Sequence, residues 1–171
     1  MIRKVKIEHP LTDVVLFGVI RSGETAVSRI ELAGQDYEDK VSCGTDEKLI
    51  RYGHMIYDFL DGRQRDLLSI PLVMDDCTDF SWKVLETARK IRWGETISYS
   101  ELARRAGYPG AVRAAASVMR KNRFPLVIPC HRVIRSDGTS GGYCGMKSGA
   151  AVELKKRLLE LEQMFTSEMK M

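Results

Sequence analysis

The sequence predicts an α+β chain of two domains, a small α/β domain with antiparallel strands over residues 1–75 and a mostly helical domain over residues 76–171. Three observations lead there. The first third carries β-branched runs separated by turn-forming residues, the signal of short strands. Most of the remainder carries apolar residues at steps of three and four, the signal of helices. The charge also changes sign, with 14 Lys/Arg against 17 Asp/Glu in residues 1–100 and 13 against 6 in residues 101–171. A chain of 171 residues can form one large core or two small ones, and the change of pattern favours two.

In chain order, residues 5–8, 14–20 and 26–32 read as an antiparallel meander, punctuated at Arg21-Ser22-Gly23-Glu24 and Ala33-Gly34-Gln35-Asp36. Leu49, Ile50, Ile56, Tyr57 and Leu60 then fall at near-helical spacing ahead of Asp61-Gly62, and residues 67–74 read as another strand. Nothing in this part suggests chemistry. Asp75-Asp76-Cys77-Thr78-Asp79 is a polar hinge and helix cap, which places the domain boundary there, and Phe80, Val84, Leu85, Ala88 and Ile91 share one helical stripe after it.

Ser98-Tyr99-Ser100-Glu101 has the spacing of a capping box, with Ser98 as N-cap and Glu101 reaching back, and Gly107 sits where a helix of about nine residues would end. Pro109 suits the first turn of a second helix running to about Lys121. Two short helices joined by a tight glycine-containing turn make a helix-turn-helix. In the second helix Val112, Ala115, Ala116 and Met119 form the inner stripe, while Arg113, Ser117, Arg120 and Lys121 share the opposite side. Ala111, Ala114 and Ala116 would let that helix approach a groove closely. From Leu102 to Ser136 there are eight basic residues and no acidic one, a field that attracts a polyanion, for which nucleic acid is the leading candidate.

The apolar run Phe124-Pro125-Leu126-Val127-Ile128 reads as a strand-like segment that delivers Cys130 and His131 side by side. A thiol becomes a nucleophile only as a thiolate, which needs nearby positive charge or hydrogen-bond donors. His131 and Arg132 are adjacent, a costly setting for an inert core cysteine. Ala151, Leu154, Leu158, Leu161 and Phe165 predict a helix over 150–165 packed on this segment, and Glu162 at the edge of its buried face is placed to pair with His131. The four cysteines, with no signal segment after Met1-Ile2-Arg3-Lys4-Val5-Lys6, do not form a disulfide scaffold and are expected to be reduced. Neither Cys43 with His54 nor Cys77 has a recognised zinc spacing, so no metal is expected. The longest apolar stretch, residues 14–20, is too short to span a bilayer, and the protein is expected to be soluble and cytoplasmic.

Ile128-Pro129-Cys130-His131-Arg132-Val133-Ile134, preceded by Asn122 and Pro125 and followed by Gly141-Gly142-Tyr143, resembles the O6-alkylguanine-DNA alkyltransferases. The resemblance extends through Gly94-Glu95-Thr96-Ile97-Ser98-Tyr99, Gly107-Tyr108-Pro109 with Arg113, and Leu158-Leu159-Glu160-Leu161-Glu162, covering about residues 76–165. It implies a ribonuclease H-like N-terminal domain and a winged helix-turn-helix-like C-terminal domain that carries the active-site cysteine. It implies one irreversible transfer of an alkyl group from O6 of guanine to Cys130, with O4-alkylthymine as a second substrate. His131, held by Glu162, would withdraw the thiol proton through a water, Asn122 would brace the site, and Tyr99 would donate to the departing guanine. Arg113 would fill the gap left by a flipped-out nucleotide, with Ala114, Ser117, Arg120, Lys121, Arg132 and Tyr99 also at the DNA. Pro125, Met119, Val133, Gly141, Gly142, Tyr143, Cys144 and Gly145 would line the substrate pocket. The implied partner is double-stranded DNA containing O6-alkylguanine, bound by a monomer in the minor groove, with no cofactor and no membrane.

Three departures from the family pattern stand out: Arg123 after Asn122 where proline is frequent, Cys144 where a small hydroxyl residue is common, and extra residues over 146–150. Cys144 has no cationic neighbour in sequence and reads as secondary. Three other readings fit parts of the chain. A non-repairing reader of alkylated DNA would lack the cysteine; a Cys-His-Glu hydrolase would need neither the basic stretch nor the helix-turn-helix; a plain DNA-binding regulator would leave the Cys-His pair incidental.

Overall fold

The computed structural model describes residues 2–32 and 46–168, and the turn expected at 33–36 and Cys43 lie outside them. The chain is mixed α and β, with a small antiparallel sheet and five α-helices among the described residues, and it divides into two compact units, Met1–Asp75 and Asp76–Met171.

In the first unit, strands β1 (Arg3–Ile7), β2 (Val14–Arg21) and β3 (Glu24–Leu32) form an antiparallel sheet in the order β1-β2-β3. Ser22 and Gly23 both have positive φ, 50° and 81°, as a two-residue hairpin between right-twisted strands requires. Helix α1 (Glu47–Leu60) lies across the sheet and buries Leu49, Ile56, Phe59 and Leu60 with Val14, Leu16, Val27 and Ile30. Two glycines permit the close approach. A Cβ on Gly53 would stand 2.6 Å from the Ile7 side chain, and one on Gly18 3.0 Å from Leu49.

Residues 67–74 do not form the expected strand. A parallel bridge links Leu72 to Val27 of the sheet, with Val27 donating to the Pro71 carbonyl at 2.8 Å and Val73 donating back to Val27 at 2.8 Å. Pro71 has no N–H for a ladder, and the chain before it is turned by the Ile70 to Leu67 hydrogen bond.

The second unit begins with α2 (Asp79–Arg89), capped by Thr78, whose hydroxyl accepts from the Ser81 N–H at 3.2 Å. Strand β4 (Ile97–Ser98) leads directly into α3 (Tyr99–Arg105), and Ser98 caps it by accepting from the Glu101 N–H at 3.1 Å. The second half of the expected capping box is replaced: the Glu101 carboxylate accepts from Arg104 and Arg105 instead. Helix α3 is 7 residues long rather than about nine, and Gly107, at φ 90°, completes its end. Pro109 stands in the connecting turn, closed by the Ala111 N–H to the Tyr108 carbonyl at 2.9 Å, and α4 (Val112–Arg120) starts after it rather than around it.

A two-stranded parallel pairing positions the chemistry. Strand β5 (Val133–Ile134) pairs with β4, Ile97 opposite Val133 and Ser98 opposite Ile134. Tyr99 follows one strand and Cys130-His131-Arg132 precedes the other, so the pairing sets them side by side. Helix α5 (Ala150–Glu168) packs Leu154 and Leu158 inward below them. No helix among the described residues is long and apolar enough to cross a membrane.

Asp46 couples the caps and core of the first unit. Its carboxylate caps α1 at the Leu49 N–H, accepts from the Thr25 hydroxyl at 2.8 Å and pairs with Arg3 while 4% exposed. Asp46→Ala is expected to destabilise this unit by about 2–4 kcal/mol in a urea titration, more than an ordinary cap, because Thr25 and Arg3 lose their partner together.

Candidate active site

Residues 124–129 are buried but not extended. Ile128 donates to the Phe124 carbonyl at 2.8 Å, and Leu126 stands at φ 72°. Pro125 and Pro129 have no N–H to give a strand ladder, so the segment folds back on itself. Asn122 ties the loop shut: its amide donates to the Ile128 carbonyl and accepts from the Phe124 N–H, both at 3.0 Å. Cys130–Arg132 then form a single 3-10 turn.

This turn splits three neighbouring side chains between two environments. Cys130, 6% exposed, lines a cavity of about 340 Å³ with Tyr99, Met119, Arg120, Arg135, Gly141, Gly142, Tyr143, Cys144 and Gly145. His131 and Arg132 point the other way, onto α5. His131 Nε2 lies 2.8 Å from Glu162 Oε1, Arg132 donates from Nε and Nη2 to the same carboxylate at 2.8–3.0 Å, and the Gly94 N–H donates to Oε2 at 2.9 Å. Arg132 Nη1 donates to the Ile91 carbonyl at 2.6 Å, and its guanidinium lies 5.8 Å from the centre of the Trp93 ring.

The ionisation of this cluster follows from burial set against charge. Burial drives the Glu162 carboxyl upward, but the hydrogen bonds from His131 and Arg132 and the Arg132 charge outweigh it and hold the group at about 2. Burial lowers His131, and it prevails over Glu162 because Arg132 already neutralises that carboxylate. The imidazole is therefore uncharged. An ionised Glu162 can only accept, so Nε2 carries the hydrogen and Nδ1 is left as the basic nitrogen.

Cys130 is held below the usual thiol range, first by a hydrogen bond from Cys144, then by Asn122 and the charge of Lys155, against burial. Burial raises Tyr99, and the Cys130 charge raises it further, so its hydroxyl keeps its proton. Lys155 is the site residue the sequence reading missed. It is fully buried on α5, donates from Nζ to the Val133 carbonyl at 2.7 Å, and is lowered by burial to about 8. The signal was available: Lys155 lies between Leu154 and Leu158 and seven residues before Glu162, on one face of the helix.

Several expectations need correction. Arg132 is 4% exposed and engaged with Glu162, so it is no surface contact for a polyanion. Pro125 and Val133 are buried behind the cavity rather than lining it, because the folded-back loop and the β4–β5 pairing turn them away. Cys144 does have a cation near it, Lys155, brought in by α5. The basic stretch also divides. Arg104 and Arg105 pair with Glu101 and Glu95, and Arg123 with Asp76. Arg113, Arg120, Lys121 and Arg135 are exposed and form no ion pair among the described residues. Ala114 is exposed beside Arg113, and Ser117 lies half-buried in a groove with Ala114, Lys121 and Arg123.

Glu162→Gln is expected to cost about 3–5 kcal/mol at neutral pH, since it leaves the Arg132 charge buried without its counter-ion. A carboxyl lowered from 4.5 to about 2 contributes stability that is full above about 4.5 and is lost as pH falls toward 2. Chemical denaturation across pH 2–7 should show this acid loss in the parent and a flatter profile in the variant.

The comparisons with known proteins agree with this geometry. Residues 79–164 match the family model described as 6-O-methylguanine DNA methyltransferase, DNA binding domain. A methylated-DNA--protein-cysteine methyltransferase of Methanothermobacter thermautotrophicus is 43% identical over 155 residues, 90% of this chain and 81% of that protein. The solved O6-methylguanine methyltransferase of Mycobacterium tuberculosis superposes with a TM-score of 0.76 at 27% identity, covering 96% of this chain and 94% of that one. A structure of OGT from the same organism in complex with DNA gives 0.75 at 27% identity, over 95% and 92%. With a matched model over half its length and a relative this similar along nearly all of it, the chain belongs to the 6-O-methylguanine DNA methyltransferase family.

Proposed function

We propose that this chain repairs DNA by moving an alkyl group from O6 of guanine in duplex DNA onto the sulfur of Cys130, once per molecule, with O4-alkylthymine as a second substrate. The carrying observation is the placement of one depressed thiol in an open cavity beside the exposed cations of α4, with an uncharged imidazole and a buried carboxylate behind it.

The chemistry is a displacement at saturated carbon. The Cys130 thiolate attacks the alkyl carbon, the C–O bond breaks, and its electron pair passes to the guanine ring system. His131 takes the thiol proton, through a water in the family pattern, while Glu162 fixes its tautomer and Asn122 braces the loop that carries the sulfur. Tyr99, protonated and at the cavity wall, donates to the departing base and so stabilises the charge that develops there. A base inside duplex DNA cannot reach this sulfur, so it must be extruded at a cost of a few kcal/mol. Arg113, exposed on α4 and flanked by Val112 and Ala114, offsets that by occupying the vacated stack. Arg120, Lys121 and Arg135 hold the backbone.

The same reading extends to the domains. The three-stranded antiparallel sheet with α1 supports a ribonuclease H-like first unit, and α3, the Gly107 turn and α4 support a winged helix-turn-helix second unit. A cytoplasmic monomer acting on O6-alkylguanine in duplex DNA completes it. Neither alternative is favoured: a reader has no use for a depressed thiol, and a small-molecule hydrolase has none for exposed cations beside its pocket.

Incubation with duplex DNA carrying O6-methylguanine, followed by intact mass and peptide mapping, is expected to add one methyl to the peptide containing Cys130 at one equivalent per protein. Repeated turnover, or unmodified protein bound to the DNA, would overturn the proposal. Arg113→Ala is expected to slow repair of the duplex about tenfold, the scale of one lost stacking contact, while reaction with free O6-benzylguanine changes little. Equal losses on both substrates would count against the finger role.

A further inference from the structure

Two thiols share the cavity. Cys130 and Cys144 both line it, both are free, and the two side chains are near enough for each to shift the ionisation of the other. Cys144 is not on a loose loop. It occupies the turn from Tyr143 to Met146, closed by reciprocal backbone hydrogen bonds of 2.9 Å, with φ 46° at Cys144 and 81° at Gly145. Gly142 is wedged beneath the same turn, where a Cβ would stand 2.5 Å from the Met146 carbonyl oxygen. The pair is asymmetric. Cys130 is lowered, while Cys144 is raised, first by its interaction with Cys130 and then by burial, and keeps its proton.

We propose that Cys144 is a resolving thiol, closing a reversible disulfide with Cys130 after a peroxide has oxidised the acceptor sulfur. In the first step the Cys130 thiolate attacks one oxygen of hydrogen peroxide, the O–O bond breaks and hydroxide leaves. The sulfur loses two electrons and becomes a sulfenic acid. In the second, the Cys144 sulfur attacks that of Cys130. The S–S bond forms, the S–O bond breaks, and the departing hydroxide carries off the Cys144 proton as water. Oxidation itself releases Cys144 for attack: a neutral sulfenic acid no longer opposes ionisation of its neighbour, and the Lys155 ammonium favours it. A dithiol reductant then returns both thiols. A protein that acts once has its single nucleophile protected this way from the irreversible sulfinic state.

The inference rests on the thiolate character assigned to Cys130 above, and the full chain tests it without DNA. After brief hydrogen peroxide treatment, quenching and thiol blocking, non-reducing peptide mapping is expected to show loss of two hydrogens and a cross-link between the Cys130 and Cys144 peptides. Methyl acceptance from O6-methylguanine duplex should fall and return with dithiothreitol. In Cys144→Ser the same dose should drive Cys130 to sulfinic acid, with recovery reduced several-fold. Sulfinic acid at Cys130 forming as fast in the parent as in the variant would overturn the inference, as would a cross-link to Cys77, Cys43 or a second copy instead. A protein that accepts methyl but forms no such disulfide sinks this inference alone, and one that forms it but never accepts methyl sinks only the repair reading.

Discussion

The buried carboxylate of Glu162 is the group on which the second unit turns. At 1% exposure it collects hydrogen bonds from an imidazole, a guanidinium and a main-chain amide. The donors come from two pieces of chain, His131 and Arg132 from the 3-10 turn and Gly94 from the loop before β4, while the accepting Glu162 is on α5. A single ion therefore ties three segments together. An unpaired carboxylate at this depth would cost several kcal/mol, so the pieces are stable only when assembled together. Arg132 has the further effect of freeing His131. Because the guanidinium neutralises the carboxylate, the imidazole can remain an uncharged base.

The opposite side of the same turn has the reverse design. Cys130 is presented to an open cavity, and the groups that lower its pKa are a thiol, an amide and the Lys155 ammonium rather than the adjacent arginine. Charge that faces outward is arranged by subtraction. Glu101, Glu95 and Asp76 occupy Arg104, Arg105 and Arg123, which leaves Arg113, Arg120, Lys121 and Arg135 of this basic stretch exposed with no ion pair among the described residues. The count of basic residues overstated the field; the geometry concentrates it.

Much of this was legible in the residues, and the parts that were not share a cause. The meander, α1, α2 and α5 follow from local period and turn chemistry, and the Glu162 to His131 contact followed from a carboxylate at the edge of an apolar stripe. What failed depended on contacts distant in sequence. Residues 67–74 and 124–128 are apolar enough for strands, but prolines without N–H groups and the Asn122 side chain set their course. Arg132 read as a surface cation because its partner is 30 residues away. Lys155 was passed over because a buried ammonium has no signature except its position between two leucines, and the β4–β5 pairing is too short to show as a pattern.

The glycines that share the cavity lining with Cys130 limit how this cavity can change. Gly141, Gly142 and Gly145 present bare main chain, and two of them hold left-handed torsions that side chains adopt only with strain. Space there is already maximal, so substitution on that side can shrink the chamber but never enlarge it. Any widening must come instead from Met146, exposed at the cavity mouth, whose unbranched thioether can swing aside without disturbing the backbone. Adaptation of the chamber is thereby directed to its flexible rim, leaving the rigid floor untouched.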